Sequence, residues 1–303
     1  MTEDEYLRIV NNISNEEVAK IMFEALSTLH MHLEWQHETM SEADKWIYCL
    51  FKAFFKMYNT TYHLSNGIPY FFRPEINYID IRSINIQIRS CHEIYLTYNY
   101  ITNSKFATGG REEREFKYAA YELAGNLDNK RTYERIRQFE GYKDLYDQQI
   151  ETVNEKILEC RKTLTRSPIY KLLSTEIKNA VRNGQWKITT QKKLSWADLL
   201  DCTPIPRAYG EFEYNNLCLY THASHASLAL EAQHDLNMIS ALAHLYKLSA
   251  LMCDTTVYAF NLDDILDLRT RALINDLAVM GNNIVAKAEN ARRERQEAHQ
   301  AAP

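Results

Sequence analysis

Ser83-Ile-Asn-Ile-Gln-Ile-Arg89-Ser-Cys-His92-Glu93-Ile-Tyr95-Leu-Thr-Tyr98-Asn-Tyr100-Ile-Thr-Asn-Ser104 is the stretch that decides the fold. It carries two formal charges, Arg89 and Glu93, one helical turn apart, with His92 between them. The other positions are apolar or neutral-polar on nearly every helical face, the pattern of a central, buried helix. Tyr95 and Tyr98 share a face with Ile84, Ile88 and Cys91, which assigns them to core packing rather than base stacking. A buried Arg or Glu is costly unless paired and hydrogen-bonded. The R-x-x-x-E pair is therefore either a core-organising ion pair or the heart of a site.

The rest of the chain agrees with a helical setting. Eight Gly and six Pro in 303 residues leave few turns and long helices. A net charge of −5 provides no global basic field for nucleic acid, so RNA binding needs a local basic groove. Cysteines 49, 91, 160, 202, 218 and 253 are scattered without C-x-x-C spacing, which argues against a disulfide framework or a structural zinc. Free thiols fit a reducing cytoplasm. Met-Thr-Glu-Asp-Glu lacks the apolar core of a secretory signal, and no apolar run reaches membrane-spanning length. The expectation is a cytoplasmic protein with no membrane partner.

Along the chain, residues 3–12 read as a short amphipathic helix. Ser14 and Glu17 form a capping box for a helix running to about His37. Ser41 and Asp44 open the next helix, which carries Trp46, Ile47, Leu50, Phe51, Phe54, Phe55 and Tyr58. Asn66-Gly67, Pro69 and Pro74 make 64–78 a structured loop before the central helix at about 79–103. Residues 111–165 are rich in Glu, Lys, Arg and Gln. Phe116, Ala119, Ala120, Leu123 and Leu127 share one face there. Lys143, Tyr146, Ile150, Val153, Ile157, Cys160 and Leu164 follow the alternating spacing of a coiled-coil seam. This segment predicts an antiparallel hairpin projecting from the bundle, either simply solvated or bound to a partner or a second copy. Helices are expected at Ile169–Val181, at a short segment capped by Ser195, and at about 208–226, 236–255 and 261–297. Lys187–Thr190 is the one β-like patch, and 292–303 form a charged, fraying tail. The predicted fold is all-α: a multi-helix bundle with an inserted antiparallel coiled-coil hairpin at 111–165, within a single helical domain spanning 1–303.

A second unusual stretch is Leu217–Leu230, which has no formal charge and holds His222 and His225. As a helix it reads as buried, so Tyr220, Ser224 and His225 need polar partners, and Arg89 and Glu93 are the expected ones. R-x-x-x-E at Arg89 and Glu93, a charged coiled-coil segment, then Y-x-x-x-S-H at Tyr220, Ser224 and His225 together resemble a bacterial all-helical family of unknown function. The likeness covers about residues 20–260 and brings no established activity.

More distantly, the chain resembles the HEPN helical-bundle ribonucleases, which place Arg and His on a late helix as R-x(4–6)-H and cut RNA without metal. That resemblance implies His as acid or base on the 2′-hydroxyl and Arg stabilising the phosphorane. This chain departs from the pattern. His92 follows Arg89 by three residues, and the formal match, Arg293 to His299, lies in the charged tail. A composite site would combine Arg89 and Glu93 with His225, supported by Tyr220 and Ser224.

Metal chemistry has weaker support. Glu34/His37 and Glu231/His234 are E-x-x-H pairs, but a di-metal carboxylate bundle lacks its fourth ligand even with Glu93. His30 and His32 project to opposite helical faces. No cofactor or metal is expected. Two functions remain open. One is a metal-independent ribonuclease-type effector in defence or toxin systems, acting on RNA. The other is a non-enzymatic coiled-coil interaction protein whose Arg-Glu-His cluster is structural.

Overall fold

The computed structural model describes residues 15–103, 110–221, 225, 228, 229 and 234–279. The fold is all-α, with eleven helices among the described residues and one small hairpin. In order these are α1 (Asn15–Gln36), α2 (Glu42–Ser65), β1 (Ile68–Tyr70), β2 (Arg73–Tyr78), α3 (Ile81–Thr102), α4 (Gly110–Ile136), α5 (Lys143–Arg166), α6 (Pro168–Leu172), α7 (Thr175–Arg182), α8 (Trp196–Leu200), α9 (Arg207–Thr221), α10 (His234–Phe260) and α11 (Leu268–Val279). The helix expected at 3–12, Ser14 of the first capping box and the 292–303 tail lie outside the described residues. No described helix is long and apolar enough to cross a membrane.

The chain forms two compact units. The first contains the described parts of 1–39, 48–99 and 199–303, and the second contains 40–47 and 100–198. In the first unit, α1 packs against α10 and α11, and α10 packs against α11. Met22, Leu26, Leu29 and Leu33 of α1 and Phe51, Phe54 and Tyr58 of α2 are fully enclosed. The Tyr58 hydroxyl donates to the Ala19 carbonyl at 2.8 Å, so this core phenol is satisfied. Ile84, Ile88, Cys91 and Tyr95 of α3 are all buried, as their spacing predicts, and so is Tyr98.

The 64–78 segment departs from the expected loop. Ile68 pairs with Tyr78 and Pro69 with Asn77, antiparallel, with a register shift before the Tyr70–Arg73 pair. Gly67 enters at φ 92°, a conformation that suits glycine. Every β2 residue is exposed, so no buried face imposes the alternation that marks a strand. Both strands are edges of a two-stranded ribbon, where proline is tolerated. The Lys187–Thr190 patch supplies only an isolated bridge, Ile188 with Lys193.

The second unit is built on the helical hairpin. α4 and α5 pair antiparallel: Lys130 donates to Asn154 at 3.0 Å, and the Arg137 guanidinium lies 4.8 Å from the Tyr146 ring centroid. Phe116, Ala119, Ala120 and Leu123 form one core cluster with Val153, Ile157, Cys160 and Leu164. The seam is thus closed over its C-terminal half, while Lys143 is exposed and Tyr146 and Ile150 are half-buried. The expected Ile169–Val181 helix is two helices, because the Ser174 hydroxyl accepts from the Ile177 amide and starts α7 afresh. At the N-terminus of α2, Ser41 Oγ accepts from the Asp44 amide at 3.1 Å and donates to its carboxylate at 2.8 Å. That is the capping arrangement the sequence predicts.

Lys117 organises the end of α3 within this unit. It is fully enclosed, 2.6 Å from the Glu113 carboxylate, and donates to the carbonyls of Tyr100 and Asn103 at 2.7 Å each. A lysine that satisfies the last carbonyls of a helix replaces the water they would otherwise bind. Lys117→Ala should lower the unfolding free energy by about 3–5 kcal/mol, since it strips a buried carboxylate of its cation. Urea denaturation measures this, and joint replacement of Lys117 by Met and Glu113 by Gln should cost less.

Candidate functional site

One polar cluster lies inside the first unit, contributed by α3, α9 and α10. Arg89 and Glu93, one turn apart on α3, pair at 3.1 Å with side chains 29% and 32% exposed. Tyr214 of α9 completes a triangle: Arg89 reaches the Tyr214 oxygen at 3.4 Å, and the Tyr214 hydroxyl donates to Glu93 at 2.8 Å. The Arg89 guanidinium also lies 5.5 Å from the Tyr214 ring centroid. The hydrogen bond to Tyr214 holds the Arg89 guanidinium above its ordinary pKa, and burial pushes the Tyr214 phenol up to about 12. The pair expected to be deeply buried is therefore in partial contact with solvent, and it is closed by a tyrosine.

Deeper in the unit, His92 and His244 are fully enclosed. His92 Nδ1 and His244 Nε2 are 3.0 Å apart, and His244 Nδ1 lies 3.2 Å from the Tyr209 hydroxyl. A bond between two ring nitrogens needs one proton and one lone pair, so it forms only with at least one ring neutral. Burial drives the His92 pKa down to about 4, and burial first, then the His92 and Lys247 charges, drives His244 well below its usual value. Both rings are neutral near neutral pH. His92 Nε2 is enclosed without a hydrogen-bond partner among the described residues. Lys247, one turn on from His244, donates to the Ala278 carbonyl near the end of α11 at 2.8 Å, and burial lowers its pKa to about 8.

Glu213 of α9 is the other unusual group. It is buried, and it makes no hydrogen bond or ion pair with a described residue. Burial pushes its carboxyl up to about 7. It lines a cleft with Asn85, Tyr220 and neighbours from α9 and α10.

The expected site residues are only partly brought together. Arg89 and Glu93 meet, and Tyr220 is buried, with its carbonyl accepting from Arg82 at 2.9 Å. Ser224 lies outside the described residues. Leu217 is buried with Tyr220, whereas His225, Leu228 and Ala229 are exposed, which corrects the expectation of burial for the later part of the 217–230 segment. No hydrogen bond or ion pair among the described residues joins His225 to Arg89 or Glu93. At His225 and Ala229 there is little apolar side-chain area to bury, so absence of charge did not imply enclosure.

The histidines that share a polar centre are His92 and His244. The signal for His244 was present: it and Lys247 are the only ionisable nitrogens in the run Asn237–Cys253. Glu213 also had a signal, since Glu211 pairs with Arg207 at 2.8 Å one turn away and Glu213 has no such neighbour. Of the Glu34/His37 pair, Glu34 lies on α1 and bonds Tyr48 and Lys52, Tyr48 also meets His30 at 2.6 Å, and His37 lies in the 3-10 turn that follows the helix. Among the described residues no group of three His, Cys, Asp or Glu side chains can hold a metal ion.

Comparison of the chain with family models, curated proteins and solved structures finds no match.

The buried groups give opposite pH dependences. Glu213 holds its proton more tightly folded than unfolded, so its contribution falls as pH rises from 4.5 to about 7. The histidines hold protons less tightly when folded, so stability falls as pH drops below 6.5, down to about 4 for His92. Glu213→Gln should therefore stabilise the protein by about 2 kcal/mol near pH 8 and change little near pH 4. His244→Ala should cost about 3 kcal/mol, because it opens a cavity and strips His92 of its partner. Chemical denaturation across pH measures both.

Proposed function

We propose that this protein is a non-enzymatic interaction protein: its helical hairpin engages a protein partner or a second copy, and its polar cluster specifies the core. The observation that carries this reading is the enclosure of His92 and His244. These two rings form a polar centre that substrate does not reach, and burial keeps them from exchanging protons near neutral pH. Arg89 is engaged by Glu93 and Tyr214. Support for partner binding comes from the hairpin itself, where Phe139, Tyr142, Leu145 and Leu158 are exposed.

The ribonuclease reading draws on two observations. Arg89 Nε is enclosed without a hydrogen-bond partner among the described residues, and His225 is exposed and so reachable by substrate. In that reading His225 is the acid or base on the 2′-hydroxyl of RNA, Arg89 binds phosphate, Glu93 orients one of them, and Tyr220 and Ser224 support the site.

One assay separates the two. Purified wild-type protein, incubated with total bacterial RNA in EDTA, should leave it intact, as should folded Arg89→Ala and His225→Ala. Metal-independent cleavage by wild type that both substitutions abolish would overturn the interaction reading. Arg89→Ala should also cost about 1–2 kcal/mol of stability, less than a fully buried pair would, because the side chains reach solvent.

A further inference from the structure

A cleft of about 100 Å³ opens in the first unit, lined among the described residues by Asn85 of α3, Glu213, Asn216, Leu217 and Tyr220 of α9, and Ser240 and Ala241 of α10. The α9 contributors recur at i, i+3, i+4 and i+7, so they share one face of the helix. Ser240 is exposed and marks the mouth, while Asn85 and Glu213 are more than nine-tenths buried. The Asn85 amide nitrogen donates to the Ile81 carbonyl at 2.8 Å, which leaves Oδ1 as its acceptor. Glu213 has no hydrogen-bond or ion-pair partner among the described residues. A carboxyl group held this deep without a donor is expensive to ionise, and a donor cation entering the cleft removes that cost.

We infer that this cleft is a binding site for a primary alkylammonium group, with Glu213 as its counter-ion. The three N–H donors of such a group match an acceptor set of one carboxylate and neutral amide oxygens. Leu217 and Ala241 supply the apolar wall for the alkyl chain. Apart from Glu213 no lining side chain among the described residues carries a formal charge, which suits a monocation. A calcium ion takes about six to eight oxygen ligands, commonly several of them carboxylates, and one carboxylate is a poor match. The ammonium comes either from a free small amine or from a lysine side chain presented by a peptide. Asn85 and Asn216 act as further acceptors on either ligand.

The test is amide chemical-shift titration of the intact protein with four probes: n-butylammonium, Nα-acetyl-lysine N-methylamide, n-butanol and calcium chloride. Wild type should show saturable shifts around Asn85, Leu217 and Ala241 with at least one ammonium probe. Butanol should bind at least about tenfold more weakly. Glu213→Gln, which retains the fold and is expected to be more stable at neutral pH, should lose ammonium binding. Tighter binding of the butylammonium probe assigns a free amine, and tighter binding of the lysine derivative assigns a side chain. Absence of saturable shifts with both ammonium probes overturns the inference. So does binding that survives Glu213→Gln, or a response to calcium alone. None of these readouts depends on whether the protein cleaves RNA or binds through its hairpin.

Discussion

The hydrogen bond between His92 and His244 is the constraint on which the first unit depends. Two imidazoles with no solvent contact sit 3.0 Å apart, and their bond survives only while a single proton lies between those nitrogens. The bond links α3 to α10, and the Tyr209 hydroxyl extends the chain to α9. An all-apolar interface tolerates sliding by a turn, whereas a buried polar pair has one satisfied register. The same helices then carry Arg89, Glu93 and Tyr214 into their triangle, and Glu213 and Asn85 to the cleft. Neutral histidines also explain why the cluster does not need compensating carboxylates beside them: burial lowers their pKa values, and the cost of enclosing charge is avoided.

The second unit meets the same problem in another way. Lys117 is enclosed with a charge partner, Glu113, and with two helix-end carbonyls, so its donors are matched by acceptors. Nearby, the Tyr100 hydroxyl donates to the Ile188 carbonyl at 2.9 Å and accepts from the Ile188 amide at 3.2 Å. These contacts tie the end of α3 to the strand-like 186–193 segment. Packing of Trp186 against Tyr121 at 5.0 Å adds apolar burial to the same region. The hairpin seam closes only where Val153, Ile157, Cys160 and Leu164 face α4, and its tip leaves Phe139 and Tyr142 open.

Much of this architecture was legible in the residues. The apolar and neutral-polar pattern of 83–102, broken only by Arg89 and Glu93, identified a buried helix, and the heptad spacing of 143–164 identified the hairpin, because both are repeated local signals. The hairpin at 68–78 was not legible, since exposed strands need no alternation and its prolines read as breakers. The candidate site was half legible. Arg89 and Glu93 are neighbours on one helix, so spacing alone brings them together. His92 and His244 are separated by 152 residues, and nothing local indicates which of the other nine of the chain's ten histidines His92 meets. His225 shows the complementary case: a stretch without charge resembles a core segment, yet an imidazole and the small Ala229 bring too little apolar surface to fix these positions there.

The most direct test of this account is the protonation state of the two central histidines, read from side-chain nitrogen-15 chemical shifts of the labelled protein. The account predicts that His92 remains neutral from neutral pH down to about 5, and that His244 remains neutral well below the ordinary histidine value, each in one fixed tautomer. Titration of either ring near the ordinary histidine value of 6.5, or rapid exchange between tautomers, would contradict a sealed structural pair and return these residues to the candidates for proton-transfer chemistry.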